Sequence, residues 1–300
     1  MERLLHAFIE SFDMLPWLPE NISTYGAQLD DLFIFIYWFS VITFLATGGA
    51  MVWFMIAYRK RKGHRAHYYH GNQFIETTWT ILPTILFLGI GIYSDDMWQT
   101  TKESSRVPKP DVEILVLGKQ FGWYFMYPGA DGKFGRNAYT DIKARTLMSA
   151  TNPFGIDSTD PAGFDDFITE NQFRVPVNAN VVVRGSSIDV IHSFFLPHAR
   201  VKQDVIPGTW MNIWFNLFKT GEYELACAEL CGSGHYAMRA VYKVESRKDY
   251  DAWLNQKDAE ILAARMGGST ADVAATDAEA PSDTEATAET ESEPSTDVGE

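Results

Sequence analysis

Cysteine is scarce in this chain, with two in 300 residues, Cys227 and Cys231. Nowhere does C-x-x-C-H, the run that attaches haem covalently, occur, so no fused c-type haem domain is expected. Charge is missing from two long stretches. Asp31 to Ala57 is uncharged after its opening aspartate and rich in Phe, Trp, Ile and Met. At about 1.5 Å per residue it is long enough to cross a hydrocarbon layer of about 30 Å. Ile75 to Tyr93 carries one charge, Glu76, and one proline, Pro83, which membrane helices tolerate. Both stretches read as transmembrane helices. The first lacks a basic n-region and is too long for the h-region of a cleavable signal peptide, so none is expected. Basic and aromatic residues are absent from Gly267 to Glu300, which holds ten acids of a chain whose formal charge is −14. That composition predicts a disordered, solubilising tail.

What is present gives the topology. Arg59-Lys60-Arg61-Lys62-Gly63-His64-Arg65 puts five basic residues in seven between the spans, and short basic loops stay on the cytoplasmic side. Its place between two spans argues against nucleic-acid binding. The first thirty residues hold one basic residue, Arg3, against five acids, so both termini and everything after the second span are expected outside. Leu4 to Leu18, with Trp17 between two prolines, reads as an interfacial segment or a plain surface helix.

From Val107 to about Glu245 the pattern changes to short β-branched and aromatic runs: 112–117, 172–175, 180–184, 212–215, 223–226 and 239–244. Turn residues separate them, which predicts an all-β sandwich or barrel. The expected organisation is an outer or interfacial segment (1–30), a two-helix hairpin with a basic cytoplasmic loop (31–95), and a β domain (107–250). That domain carries a surface insertion at about 129–170, rich in Gly, Asp, Asn and Pro. A short helix (251–266) and the acidic tail (267–300) follow.

The densest chemistry lies in Cys227-Ala-Glu229-Leu-Cys231-Gly-Ser-Gly-His235-Tyr-Ala-Met238. Thiolate and thioether sulfurs select Cu(I) and imidazole suits copper in either state, so the mixture fits an ion that cycles by one electron. Two cysteines four apart allow two coppers bridged through both sulfurs if each gains an imidazole. His235 supplies one, and His192, in Asp189-Val-Ile-His192-Ser-Phe-Phe-Leu-Pro197, is the best candidate for the other. A Cys227–Cys231 disulfide would leave His192, His235 and Met238 unexplained. Zinc would not need the thioether.

The segment from Asp189 to Met238 resembles subunit II of the haem–copper cytochrome c oxidases, with its C-x-E-x-C-x3-H-x2-M order preceded by D-V-x-H. The resemblance implies a two-helix hairpin followed by a cupredoxin-like Greek-key sandwich in a bacterial inner membrane. The chain would take single electrons from an external donor, cytochrome c or a membrane-bound equivalent, at a binuclear copper A centre. It would pass them to haem in subunit I, where oxygen is reduced to water and protons are pumped. Cys227 and Cys231 would bridge two copper ions, His192 and Met238 completing one and His235 with the Glu229 carbonyl the other. The Glu229 side chain would reach a Mg or Mn ion shared with subunit I. Gly118-Lys-Gln120-Phe121-Gly-Trp123-Tyr124-Phe125-Met126-Tyr127 matches the family's aromatic strand. This implies that electrons arrive at Phe121 and Trp123, with Gln120 and Asp189 at the donor-docking surface. Phe121 stands where the family usually has Trp, and Met126 where it has acidic or polar groups, so the donor need not be an ordinary basic cytochrome c. Glu76, in Glu76-Thr-Thr-Trp79-Thr-Ile-Leu-Pro83, matches a glutamate at the mouth of a proton path. Among alternatives, a copper-binding assembly chaperone with C-x3-C has its histidine far downstream. A quinol oxidase subunit II lacks the copper ligands, and the copper A domain of nitrous oxide reductase is attached to a propeller for which this chain has no room.

Overall fold

The computed structural model describes residues 18–65, 67–103 and 105–268. The acidic tail beyond Gly268 and nearly all of the Leu4 to Leu18 segment lie outside the described residues. Two long helices come first, α1 (Gly26–Ala57) and α2 (Gln73–Lys102), each long and apolar enough to cross a membrane. The Asn72 side chain caps α2 by accepting from the Phe74 and Ile75 amides at 3.0 and 3.3 Å. Within α2 the hydroxyls of Thr78, Thr80 and Thr84 each donate to the carbonyl four residues earlier, so these polar groups are satisfied inside the helix, as lipid requires.

Both helices overrun the spans read from hydropathy, for tertiary reasons. α1 starts ahead of Asp31, where Arg200 grips Asp30 at 2.6 Å and also donates to the Pro19 carbonyl. α2 continues past Tyr93 through Asp95 and Asp96. Its polar end is tied to the β domain by Trp214 Nε1, which donates to the Thr100 carbonyl at 3.0 Å. Lys102 Nζ donates to the Lys202 carbonyl at 2.9 Å.

The β domain is a sandwich of two five-stranded sheets. Its strands are β1 (Val112–Lys119), β2 (Gly122–Tyr127), β3 (Phe167–Glu170), β4 (Gln172–Pro176), β5 (Asn180–Ser187), β6 (His192–Leu196), β7 (Val201–Val205), β8 (Met211–Asn216), β9 (Gly221–Cys227) and β10 (Arg239–Glu245). One sheet runs β3-β2-β1-β5-β8, the other β4-β10-β9-β6-β7. The pairs β1–β5 and β4–β10 are parallel. Between the sheets Phe125 stacks on Phe173 at 5.0 Å, and Phe173 meets Phe194 and Phe215 edge-on, the offset and T-shaped geometries aromatic rings prefer. Strands β3 and β7 have no counterpart in the sequence reading, whereas β2 falls in the aromatic strand and β6 is opened by His192. The middle of β7, Lys202-Gln203-Asp204, is polar and carries no β signal of its own.

The expected surface insertion is a second core. Side chains alternate across a strand, so while Trp123, Phe125 and Tyr127 face inward, Met126 points out of the sandwich with Leu115 and Leu117 from β1. All three are nevertheless at most 1 % exposed, because Phe154, Tyr139, Met148 and Ile156 of the inserted segment pack over them together with Trp210. A sheet covered on both faces reads as continuous hydrophobic sequence, as Ile114-Leu-Val-Leu117 does.

The last helix, α3 (Arg247–Gly268), begins ahead of residue 251. Ser246 Oγ accepts from the Asp249 amide at 3.2 Å, an N-terminal cap that fixes its start. Trp253 on this helix packs on Tyr127 and Phe167 at 5.0 and 5.3 Å.

Candidate metal centre

Cys227 ends β9, Cys231 and His235 lie in the β9–β10 connection, Met238 directly precedes β10, and His192 opens β6. Antiparallel pairing of β6 with β9 sets Phe194 opposite Cys227, which carries His192 to the first thiol although 35 positions separate them. The Cys227 amide donates to the Met238 carbonyl at 3.1 Å and closes the ligand loop. Cys227 Sγ lies 3.9 Å from Cys231 Sγ, 3.9 Å from His192 Nδ1 and 3.2 Å from the Glu229 carbonyl. Cys231 Sγ lies 3.6 Å from His235 Nδ1 and 3.7 Å from Met238 Sδ. Each sulfur thus has one imidazole and one further donor against it. His192, Met238 and Cys231 are at most 3 % exposed. The thiols are free, their sulfurs much further apart than the roughly 2.05 Å of a disulfide, and the ligand atoms of His192, Cys227 and Cys231 all fall within 4.8 Å of one another, as a shared metal ion needs.

The two thiols differ in acidity. Burial pushes Cys227 up, but contacts with His192 and with the Ser193 and Glu229 backbones outweigh it and bring its pKa down to about 6. Burial, and then the charge on Cys227, push Cys231 up to about 11. The metal-free pair therefore keeps one proton near neutral pH, and a metal ion taking both sulfurs would release it.

Asp189 and Gln120, both exposed, also bond within the site. Asp189 Oδ1 lies 2.8 Å from His192 Nε2, and Oδ2 accepts from the Gln120 amide at 2.8 Å. With Asp189 accepting from Nε2, the His192 Nδ1 lone pair is left facing Cys227. Gln120 Nε2 donates to the Cys231 carbonyl, so Asp189 and Gln120 hold the ligand loop. Trp123 is fully buried, edge-on to His192 at 6.1 Å and to Phe194 at 5.8 Å. It is packed wholly inside the sandwich, against a ring of the sulfur cluster and a core aromatic. Two aromatics are exposed here, Tyr236 within the ligand loop at 81 % and Phe121 at 39 %, and the Phe121 ring lies on that loop. A Cβ at Gly234 would come within 2.5 Å of that ring, and one at Gly118 within 2.9 Å of the His192 ring. Those glycines were the sequence signal for this packing. The Glu229 side chain is exposed, and Glu76 sits in the first turn of α2, distant in sequence from the sulfur cluster.

A two-helix membrane hairpin bearing a β-sandwich with a buried thiol–imidazole–thioether cluster at the end of paired strands defines a class, the membrane-anchored metal-site domains. Profile comparison makes it particular. The profile described as cytochrome C oxidase subunit II, periplasmic domain, matches residues 112–245, and that of the transmembrane domain matches residues 16–97. The alternative cytochrome c oxidase subunit 2 of Bradyrhizobium diazoefficiens is 32 % identical over 248 residues, 81 % of this chain and 84 % of the relative. Cytochrome c oxidase subunit 2 of Cereibacter sphaeroides is 34 % identical over 203 residues, 66 % and 65 % of the two chains. The solved periplasmic domain of subunit II of cytochrome oxidase from Bradyrhizobium japonicum has 32 % identity, covering 52 % of this chain and 99 % of that one with a TM-score of 0.37. The chain belongs to the cytochrome c oxidase subunit II family. It is accordingly a membrane protein with a cupredoxin-like periplasmic domain and a subunit of an oxidase.

Proposed function

We propose that this chain is the electron-accepting subunit of its oxidase, holding two copper ions between Cys227 and Cys231. His192 and Met238 would complete one copper site, and His235 with the Glu229 carbonyl the other. The observation that carries the reading is the pair of free sulfurs 3.9 Å apart, each flanked by an imidazole nitrogen and a further donor. When bound, the copper pair takes up and gives on single electrons. The chain's own residues do the rest: Asp189 fixes the His192 ring, Gln120 holds the Cys231 carbonyl, and burial keeps water from the sulfurs. The donor approaches at Phe121, and the acceptor is haem in subunit I, where oxygen is reduced. The Glu229 carboxylate, exposed on the ligand loop, would bind a Mg or Mn ion shared with subunit I. The basic loop lies in the cytoplasm and both termini outside, in a bacterial inner membrane. Glu76 serves a proton path into subunit I; Glu76→Gln would slow oxygen reduction and leave the copper spectrum unchanged.

Purified full-length chain, counted for copper and recorded by electron paramagnetic resonance, tests the reading. Two coppers sharing one unpaired electron are expected, lost in Cys231→Ser because a hydroxyl is a poor bridge for soft copper. One copper with the spectrum of an isolated single-cysteine site would overturn it.

A further inference from the structure

Between Asp31 and Glu76 the chain has no acidic residue, yet it holds five cations, Arg59, Lys60, Arg61, Lys62 and Arg65. All five are exposed, and among the described residues none of them forms an ion pair. Glu76, the next acid along the chain, lies beside Gly71, where a Cβ would come within 2.6 Å of its Oε1. Set against five cations, that one carboxylate leaves a large positive surplus. The β domain does not supply the balance, because its bonds to the hairpin are made at the other ends of the helices, by Asp30, Thr100 and Lys102.

Aromatic rings set the depth of this loop. Trp and Tyr gather at the two membrane–water boundaries. On α1, Trp38 with Tyr37 against it at 5.4 Å and Tyr58 with Trp53 at 6.0 Å mark two such levels. Trp38 and Tyr58 lie 20 residues apart, about 30 Å along a helix, which is the thickness of the hydrocarbon layer. On α2, Phe74 and Tyr93 lie 19 residues apart, nearly the same length. Tyr58 therefore stands at the boundary, and Arg59 to Lys62 follow it at once, at the depth of the headgroups rather than out in water. The chain then turns back: the His64 amide donates to the Arg61 carbonyl at 3.3 Å, and Gly63 takes φ +81°, which glycine adopts without strain. The return limb carries Arg65 and the exposed rings of Tyr68 and Tyr69, apolar at one end and polar at the other as that depth requires. Cations clustered directly outside a membrane helix attract anionic headgroups, each by about fivefold in affinity. We propose that Arg59, Lys60, Arg61, Lys62 and Arg65 hold anionic phospholipid headgroups in the leaflet that faces away from the β domain. The proposal rests on the two-span topology proposed above and names the chemistry that neutralises the loop.

The test reconstitutes the purified full-length chain in phosphatidylcholine bilayers and reads, by electron paramagnetic resonance, the fraction of spin-labelled phosphatidylglycerol or phosphatidylcholine held at the protein. Phosphatidylglycerol should be preferred by about threefold or more at low ionic strength, and salt should reduce the preference. In Arg59→Gln/Lys60→Gln/Arg61→Gln/Lys62→Gln the ratio should fall to about one, whereas Lys60→Arg/Lys62→Arg should keep it. Removing four cations also weakens the signal that orients the hairpin, so Lys60→Gln/Lys62→Gln, which retains three, should give an intermediate ratio. No preference in the unaltered chain would assign the cations to an acidic protein surface and overturn the proposal. A preference untouched by the four substitutions would overturn it too, as would displacement of the probe by inorganic phosphate beyond that by chloride at equal ionic strength. Labelling of His64→Cys by a membrane-impermeant thiol reagent in unopened membranes would instead overturn the two-span topology, and with it the choice of leaflet, whatever the lipid probes show.

Discussion

Asp189 divides its carboxylate between Gln120 and His192, so its loss should be felt at the metal although it touches none. Groups that orient a ligating imidazole are typically worth about 10–100-fold in metal affinity. Asp189→Asn should weaken copper binding by about that factor in competition with a chelator; unchanged affinity would reduce Asp189 to a turn former. Met126 makes the converse case. A carboxylate at this fully buried place under Phe154 would lie in apolar surroundings, and Met126→Glu should destabilise the domain by about 2–5 kcal/mol in denaturant unfolding. Asp166 gives a pH signature. It is 8 % exposed, and burial, opposed by the Gly135 amide, raises its pKa from 3.8 to about 7. The folded state therefore holds a proton that the unfolded chain has lost. Its contribution is fully present below pH 3.8 and declines as pH rises to about 7, since stability falls with pH wherever the folded state binds more protons. Asp166→Asn should raise the melting temperature by several degrees at pH 8 and hardly at all near pH 4. An equal gain at both would assign the effect to something other than this proton.

The spans were readable from sequence because a membrane helix needs only a long apolar run, but their ends were not. α1 begins where Arg200 meets Asp30, and α2 ends where Trp214 and Lys102 make their bonds, and these contacts belong to the folded β domain. Strand β7 was invisible for the same reason: its partner β6 holds it, not its own polar centre. The ligand cluster was legible because four of its side chains lie within twelve residues and His192 follows a short motif. What stayed hidden was which way the neighbours face. Alternation buries Trp123 against His192, and the cover over Met126 depends on where 139–156 folds back. Element orientation is open to a direct check. His64→Cys in the basic loop should react with a membrane-impermeant thiol reagent only after the membrane is opened, and Lys248→Cys in α3 without opening. The reverse pattern would invert the topology.

At the scale of the whole molecule, the hairpin and the sandwich are fastened at several points. Arg200 binds Asp30 and the Pro19 and Pro197 carbonyls, Trp214 binds Thr100, and Tyr25 donates to the Trp214 carbonyl at 3.1 Å while its ring lies edge-on to that indole. Hydrogen bonds to a charged group contribute about 1.5–3 kcal/mol, so Arg200→Ala should loosen this seam and speed amide exchange over residues 19–30 with little change inside the sheets. Uniformly faster exchange would mean that Arg200 supports the sandwich itself. On the electron-accepting function proposed above, the fastening also bears on how fast an electron would leave. Tunnelling probability decays exponentially with the gap between donor and acceptor, so a swaying domain would transfer charge in its rare close excursions and idle in between. A mount tied to both helices would hold the sulfur cluster at a fixed distance from its acceptor, and the rate would then be set by one separation rather than by the tail of a distribution.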